Sequence, residues 1–172
     1  GNLGRTYAFE VNLSTPGLPQ PPFDVTQPAN DWSAEIEAGT YSHALNFGTT
    51  ATSVNGVPFT AAGTGAFPSG GGNNDYTNAW TGVDGNNITG DNGLADSFLH
   101  DGGSQADINL TGLIPGQQYR AKLFFVGWDN SDRTAFIDDL DNIGEEISFG
   151  PDNPGPGADN GTVVSYVYTA QP

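Results

Sequence analysis

Cysteine and methionine are both missing from the chain's 172 residues. Without cysteine there are no disulfides, no thiolate metal sites and no thiol nucleophile. Positive charge is nearly missing as well: Arg5, Arg120, Lys122 and Arg133 face 20 acidic residues, for a formal net charge of −16. Nucleic-acid binding draws its affinity from neutralised phosphates, so a nucleic-acid partner is excluded. No run of about 18 apolar residues is present to span a bilayer. The chain opens at Gly1, without a signal peptide, and reads as a processed mature chain or an excised segment. This composition points to a secreted protein at the cell surface or beyond it.

What is there is aromatic, β-forming and heavily punctuated. Ten Phe, six Tyr and three Trp accompany 25 Gly and 12 Pro. The aromatic and β-branched residues fall in short alternating runs, which argues against a disordered acidic chain. Residues 5–12 (RTYAFEVN), 106–110, 119–128 (YRAKLFFVGW) and 162–169 (TVVSYVYT) alternate as strands. Residues 31–47 supply two more candidates, and 94–99 reads as a short helix or strand. Asn55-Gly56 between β-formers signals a tight hairpin, because both residues tolerate positive φ. Residues 63–93 read as a long polar loop. Pro16, Pro19, Pro21, Pro22 and Pro28 forbid a helix and favour an extended arm that stands off the body. The expected fold is all-β, a β-sandwich of jelly-roll type with an N-terminal extended strand. Residues 1–29 form the strand and proline-rich arm, and residues 30–172 the sandwich.

The sharpest local pattern is LTGLIPGQQY, residues 110–119. Leu enters the core, Pro-Gly turns the chain between sheets, and Tyr119 reaches back to backbone at the corner, a tyrosine corner. This segment resembles its counterpart in fibronectin type III domains. A longer series comprises LNFGTTATSVNGVPFTAAG, GLADSFLHDG, INLTGLIPGQQYRAKLFFVGWD, Arg133, DLDNIG and VSYVYTA. Together these resemble secreted β-sandwich domains of planctomycete and verrucomicrobial cell-surface proteins. The resemblance implies a secreted sandwich and gives no residue a catalytic or binding role. In that family a further strand follows the YTA segment. Here TYAFEV, residues 6–11, looks like that strand, placed at the other end of the chain.

The sequence offers residues for three site chemistries. Calcium takes six to eight hard oxygens. Residues 129–146 hold seven carboxylates in 18 positions, with Asp129, Asp132, Asp138, Asp139, Asp141 and Glu145 as candidate ligands. Sugar stacking needs exposed aromatic rings among polar neighbours, and Tyr76 and Trp80 are the candidates. Trp128, at a strand end, is expected to cap the core. For catalysis, His43 and His100 stand alone and the pairs Glu35/Glu37 and Glu145/Glu146 lack a surrounding motif. No enzyme activity is expected.

The expected function is a structural subunit of an extracellular bacterial fibre or surface layer, a head-to-tail homopolymer. Tyr7, Phe9 and Val11 would share one strand face and complete the next subunit's sheet beside residues 162–169, with calcium neutralising the acidic loops. A carbohydrate-binding module, with extracellular polysaccharide as its partner, is the alternative.

Overall fold

A computed structural model describes residues 6–13, 23–48, 50–82, 87–101, 105–127, 134–140, 146–150 and 160–172, the side chains of Tyr7, Leu13 and Ser69 excepted. In chain order the strands are β1 (Thr6–Leu13), β2 (Phe23–Thr26), β3 (Tyr41–Asn46), β4 (Thr52–Val54), β5 (Val57–Ala61), β6 (Gly65–Ala66), β7 (Gly72–Asn74), β8 (Asn78–Thr81), β9 (Ser97–His100), β10 (Ile108–Leu110), β11 (Gln118–Val126), β12 (Ala135–Asp138), β13 (Glu146–Phe149) and β14 (Gly161–Thr169). One short helix, α1 (Trp32–Glu35), and two 3-10 turns complete the described elements. The protein is all-β, as its alternating runs require.

Most strands form one large sheet in the order β2-β14-β11-β1-β3-β5-β4, with the β8–β9 ribbon joined to β1. The longest alternating runs, β11 and β14, pair antiparallel over nine residues, from Gln118↔Thr169 to Val126↔Gly161. Successive side chains point to opposite faces, so this sheet feeds two cores. Phe9, Val11, Leu123, Phe125, Val164 and Tyr166 enter one of them with Phe67, Tyr76, Ala135 and Phe149. Ala8, Phe124, Val126 and Val163 enter the other with Trp32, Ile36, Phe59, Leu94 and Phe98. The first core lies beneath a second layer made of two separate pieces, a three-stranded sheet β10-β7-β6 and the hairpin β12-β13. The second core is closed by α1 and the β4–β5 hairpin.

Local signals act as read at two places. Asn55 and Gly56 take φ of +51° and +78° between β4 and β5, the left-handed pair that a two-residue hairpin needs. At the corner before β11, the Ile114 amide donates to the Tyr119 hydroxyl at 3.0 Å.

Elsewhere the structure corrects the reading. Residues 6–13 do not stand off the body. They form a central strand between β11 and β3. The place beside β14 is filled instead by β2, from inside the expected arm. Phe23 is held there because its ring stacks on Tyr166 at 4.3 Å. The first part of residues 31–47 is helical rather than extended. Asp31 caps α1 by accepting from the Ser33 amide at 3.1 Å and the Ser33 hydroxyl at 2.6 Å. Trp32 is fully buried against Phe124. Residues 63–93 are less loop than expected, since β6, β7 and β8 lie within them. Residues 94–99 take both predicted forms, a 3-10 turn followed by β9.

Candidate functional site

Of the assembly residues, Phe9 and Val11 share the face that enters the first core and are buried. The register with β11 slips between Thr6 and Ala8, so the strand bulges at Tyr7. The side chain of Tyr7 lies outside the described residues. Thr6 is the buried residue above the bulge, and its hydroxyl bonds the Tyr76 hydroxyl at 2.7 Å.

The opposite face of β1 carries Glu10, only 2 % exposed. It sits across from Lys122 of β11 and Ala44 of β3. Burial pushes its carboxyl up to about 8; the Lys122 ammonium offsets part of that rise, while Glu37 and Glu35 add to it. Oε2 of Glu10 has no hydrogen-bond partner among the described residues. The Lys122 ammonium donates to the Glu35 carbonyl. Tyr41 donates its hydroxyl to the Glu37 carbonyl. Burial, with Glu10 and Glu37 nearby, pushes that hydroxyl up to about 12. Glu35 and Glu37 thus surround a buried carboxyl and a lysine rather than facing each other across a substrate cleft.

Of the six candidate calcium ligands, Asp129, Asp132, Asp141 and Glu145 lie outside the described residues. Asp138 ends β12 directly across from Glu146, a like-charge pair that opposes closure of the hairpin. Asp139 follows, and its carboxylate accepts from the Tyr166 hydroxyl. Among the described residues no three acidic or histidine side chains gather as a cation would need.

The two stacking candidates part company. Tyr76 is a core residue, 8 % exposed, with its hydroxyl on Thr6. Burial pushes that hydroxyl up to about 12. A sugar cannot reach it, and the expectation of an exposed ring is corrected. Trp80 stands on β8, 51 % exposed, stacked over Phe98 at 6.4 Å. Trp128 lies outside the described residues. His43 is buried, its ring nitrogens 2.7 Å from the Gly71 carbonyl and 3.1 Å from the Ser42 hydroxyl, which is a structural placement. His100 pairs across β8–β9 with Asn78.

A further feature was not read from the sequence. Between the two pieces of the second layer lies a cleft of about 810 Å³. Its floor is the large sheet, with Phe9, Leu123, Phe125, Tyr166 and Tyr168. The rings of Phe23, Tyr166 and Tyr168 stack in a row at 4.3 and 5.5 Å. Asp107, Asp138, Asp139 and Glu146 line it, with no Lys or Arg among the described lining residues. The Tyr168 hydroxyl is buried without a hydrogen-bond partner among the described residues. Burial, with Tyr119 and Asp139 adding, holds its pKa well above the ordinary tyrosine value. The lining comes from residues as far apart as 6 and 172, so no local motif announces it.

The chain matches no family model, no curated protein and no solved structure.

Proposed function

We propose that the protein is a structural subunit of an extracellular fibre or surface layer, a sandwich of jelly-roll type that polymerises by exchanging β1 between copies. The observation that supports this reading is how β1 is tethered. It fills the middle of the large sheet, yet it joins β2 only through residues 14–22, of which Pro16, Pro19, Pro21 and Pro22 are four. Leu13 pairs with Tyr119, Tyr119 with Tyr168, and Phe23 with Tyr166. The ends of the connector are therefore three strand spacings apart, ~14 Å, and offset by two residues, ~7 Å. Ten chain steps of polyproline II reach ~31 Å. The connector's reach is thus about twice what pairing within one sheet requires, which leaves length for β1 to enter a neighbour. The neighbour's slot has the same sequence on both sides, so every pairing is reproduced. Such head-to-tail contacts need not close and generate filaments.

Charge opposes this assembly, because each copy carries −16. Calcium is proposed as the counter-ion of the acidic segment 129–146. Electron microscopy and sedimentation of the purified protein, first with calcium and then with excess chelator, test both points. Filaments that fray in chelator are expected. Replacing the four connector prolines by glycine is expected to shift the population toward monomers. Dispersed monomers in both conditions would sink the reading.

The second reading, a carbohydrate-binding module, rests on Trp80, whose indole is held half-exposed by its stack on Phe98. It predicts a stable monomer that binds a glycan array and loses that binding in Trp80→Ala. An unchanged binding profile in that variant removes it.

A further inference from the structure

We infer that the cleft between the two pieces of the second layer is an acceptor slot for an extended, basic peptide segment of another protein. This goes beyond the exchange of β1, whose slot lies within the large sheet.

The lining shows what the cleft opens onto. It takes in every residue of β10 and none of β7, and every residue of β12 but only Glu146 of β13. It therefore runs along the outer edges of β10 and β12. Among the described residues neither edge is paired: β10 ends its sheet and β12 has only β13. Two open strand edges facing one gap are a template for a further strand.

The direction of the backbone groups supports this. Asp75 donates its amide to the Asp107 carbonyl, and Thr111 donates its amide to the Gly71 carbonyl. Backbone groups of an antiparallel pair alternate between the two sides. Ile108 and Leu110 therefore turn their amides and carbonyls away from β7, toward the cleft. Beneath lies an apolar floor for alternate side chains of an incoming strand. Asp107, Asp138, Asp139 and Glu146 line the cleft, with no basic residue among the described lining residues, which selects Lys or Arg on the other side chains. A second copy of this chain is a poor occupant, since it brings a net charge of −16 and four basic residues in all.

The probe is a fluorescent synthetic peptide with alternating Val and Lys, added to the full chain at low ionic strength and followed by anisotropy. Saturable binding is expected, with new hydrogen-exchange protection at the Ile108 and Leu110 amides and a loss of affinity as salt is raised. The matching Val/Glu peptide is expected not to bind. Ile108→Pro removes one outward amide while sparing the bonds to β7, and is expected to weaken binding at least tenfold. Asp138→Asn, at an exposed position, is expected to weaken it less and to flatten the salt dependence. Three results would overturn the inference: no binding of the basic peptide, equal binding by Ile108→Pro with an unchanged fold by circular dichroism, or displacement of the peptide by neutral oligosaccharides. Since the binding is measured on chromatographically isolated monomers, it succeeds or fails independently of filament formation.

Discussion

A chain lacking residues 1–13 is expected to lose its cooperative unfolding transition, and a synthetic peptide of residues 5–13 is expected to restore it when added in trans. An arm standing off the body could be removed through residue 15 and leave a folded monomer. The structure predicts otherwise because β1 lies between β11 and β3. Its removal strips Phe9 and Val11 from one core and Ala8 from the other. The two larger side chains alone contribute ~1.5–3 kcal/mol each by burial. The loss also leaves β11 and β3 with unpaired edges facing each other across an apolar slot. Against a total stability of about 5–15 kcal/mol, that deficit is decisive. Near-UV circular dichroism and thermal unfolding of the truncated chain, with and without peptide, make the check. A truncated chain that unfolds cooperatively by itself would show β1 to be dispensable. Peptide in excess over full-length protein has a second expected effect under the exchange reading: it fills slots, caps filaments and shortens them.

Residues that act through near neighbours were legible in the sequence, and residues that act at long range were not. The Asn55-Gly56 hairpin is set by two adjacent φ angles, and the Tyr119 corner by a bond to an amide five residues away. β11 and β14 were visible because each is long and alternates cleanly. By contrast, Tyr76 sits in a polar Gly/Asn stretch, and its burial is fixed by Thr6, 70 residues away. β2 is invisible inside a proline-rich segment because what makes it a strand is Tyr166 beneath Phe23. The same holds for the cleft. Its edges are three- and four-residue strands, β10 and β12, and two of its acidic residues, Asp138 and Asp139, read as metal ligands because the sequence shows charge but not what faces it. Among the described carboxylates of that segment, Asp139 is tied to Tyr166.

Glu10 should make the strand's hold on the sheet dependent on pH, and Glu10→Gln should abolish that dependence. A carboxyl with an ordinary value of 4.5 reaches about 8 here because burial disfavours its charge. A raised folded-state pKa means that its contribution to stability is fully present below about 4.5. That contribution falls as pH rises through 4.5–8 and is gone above about 8. At ~1.4 kcal/mol per pH unit, the loss across the window is on the order of 5 kcal/mol. Other groups titrate as well, so the informative quantity is the difference between the two proteins in denaturant titrations from pH 4 to 9. The variant should match the parent at the acid end and exceed it by a few kcal/mol at the alkaline end. A constant difference would mean that Glu10 is ionised throughout and satisfied by Lys122. The penalty belongs to β1 in whichever sheet it occupies, since a neighbour's slot presents the same Lys122, Glu35, Glu37 and Tyr41. Alkaline pH therefore loosens β1 equally in its own sheet and in a partner's. It should speed the turnover of subunits between filaments without favouring either pairing, and mixing differently labelled filaments at pH 5 and pH 8.5 reads that rate directly.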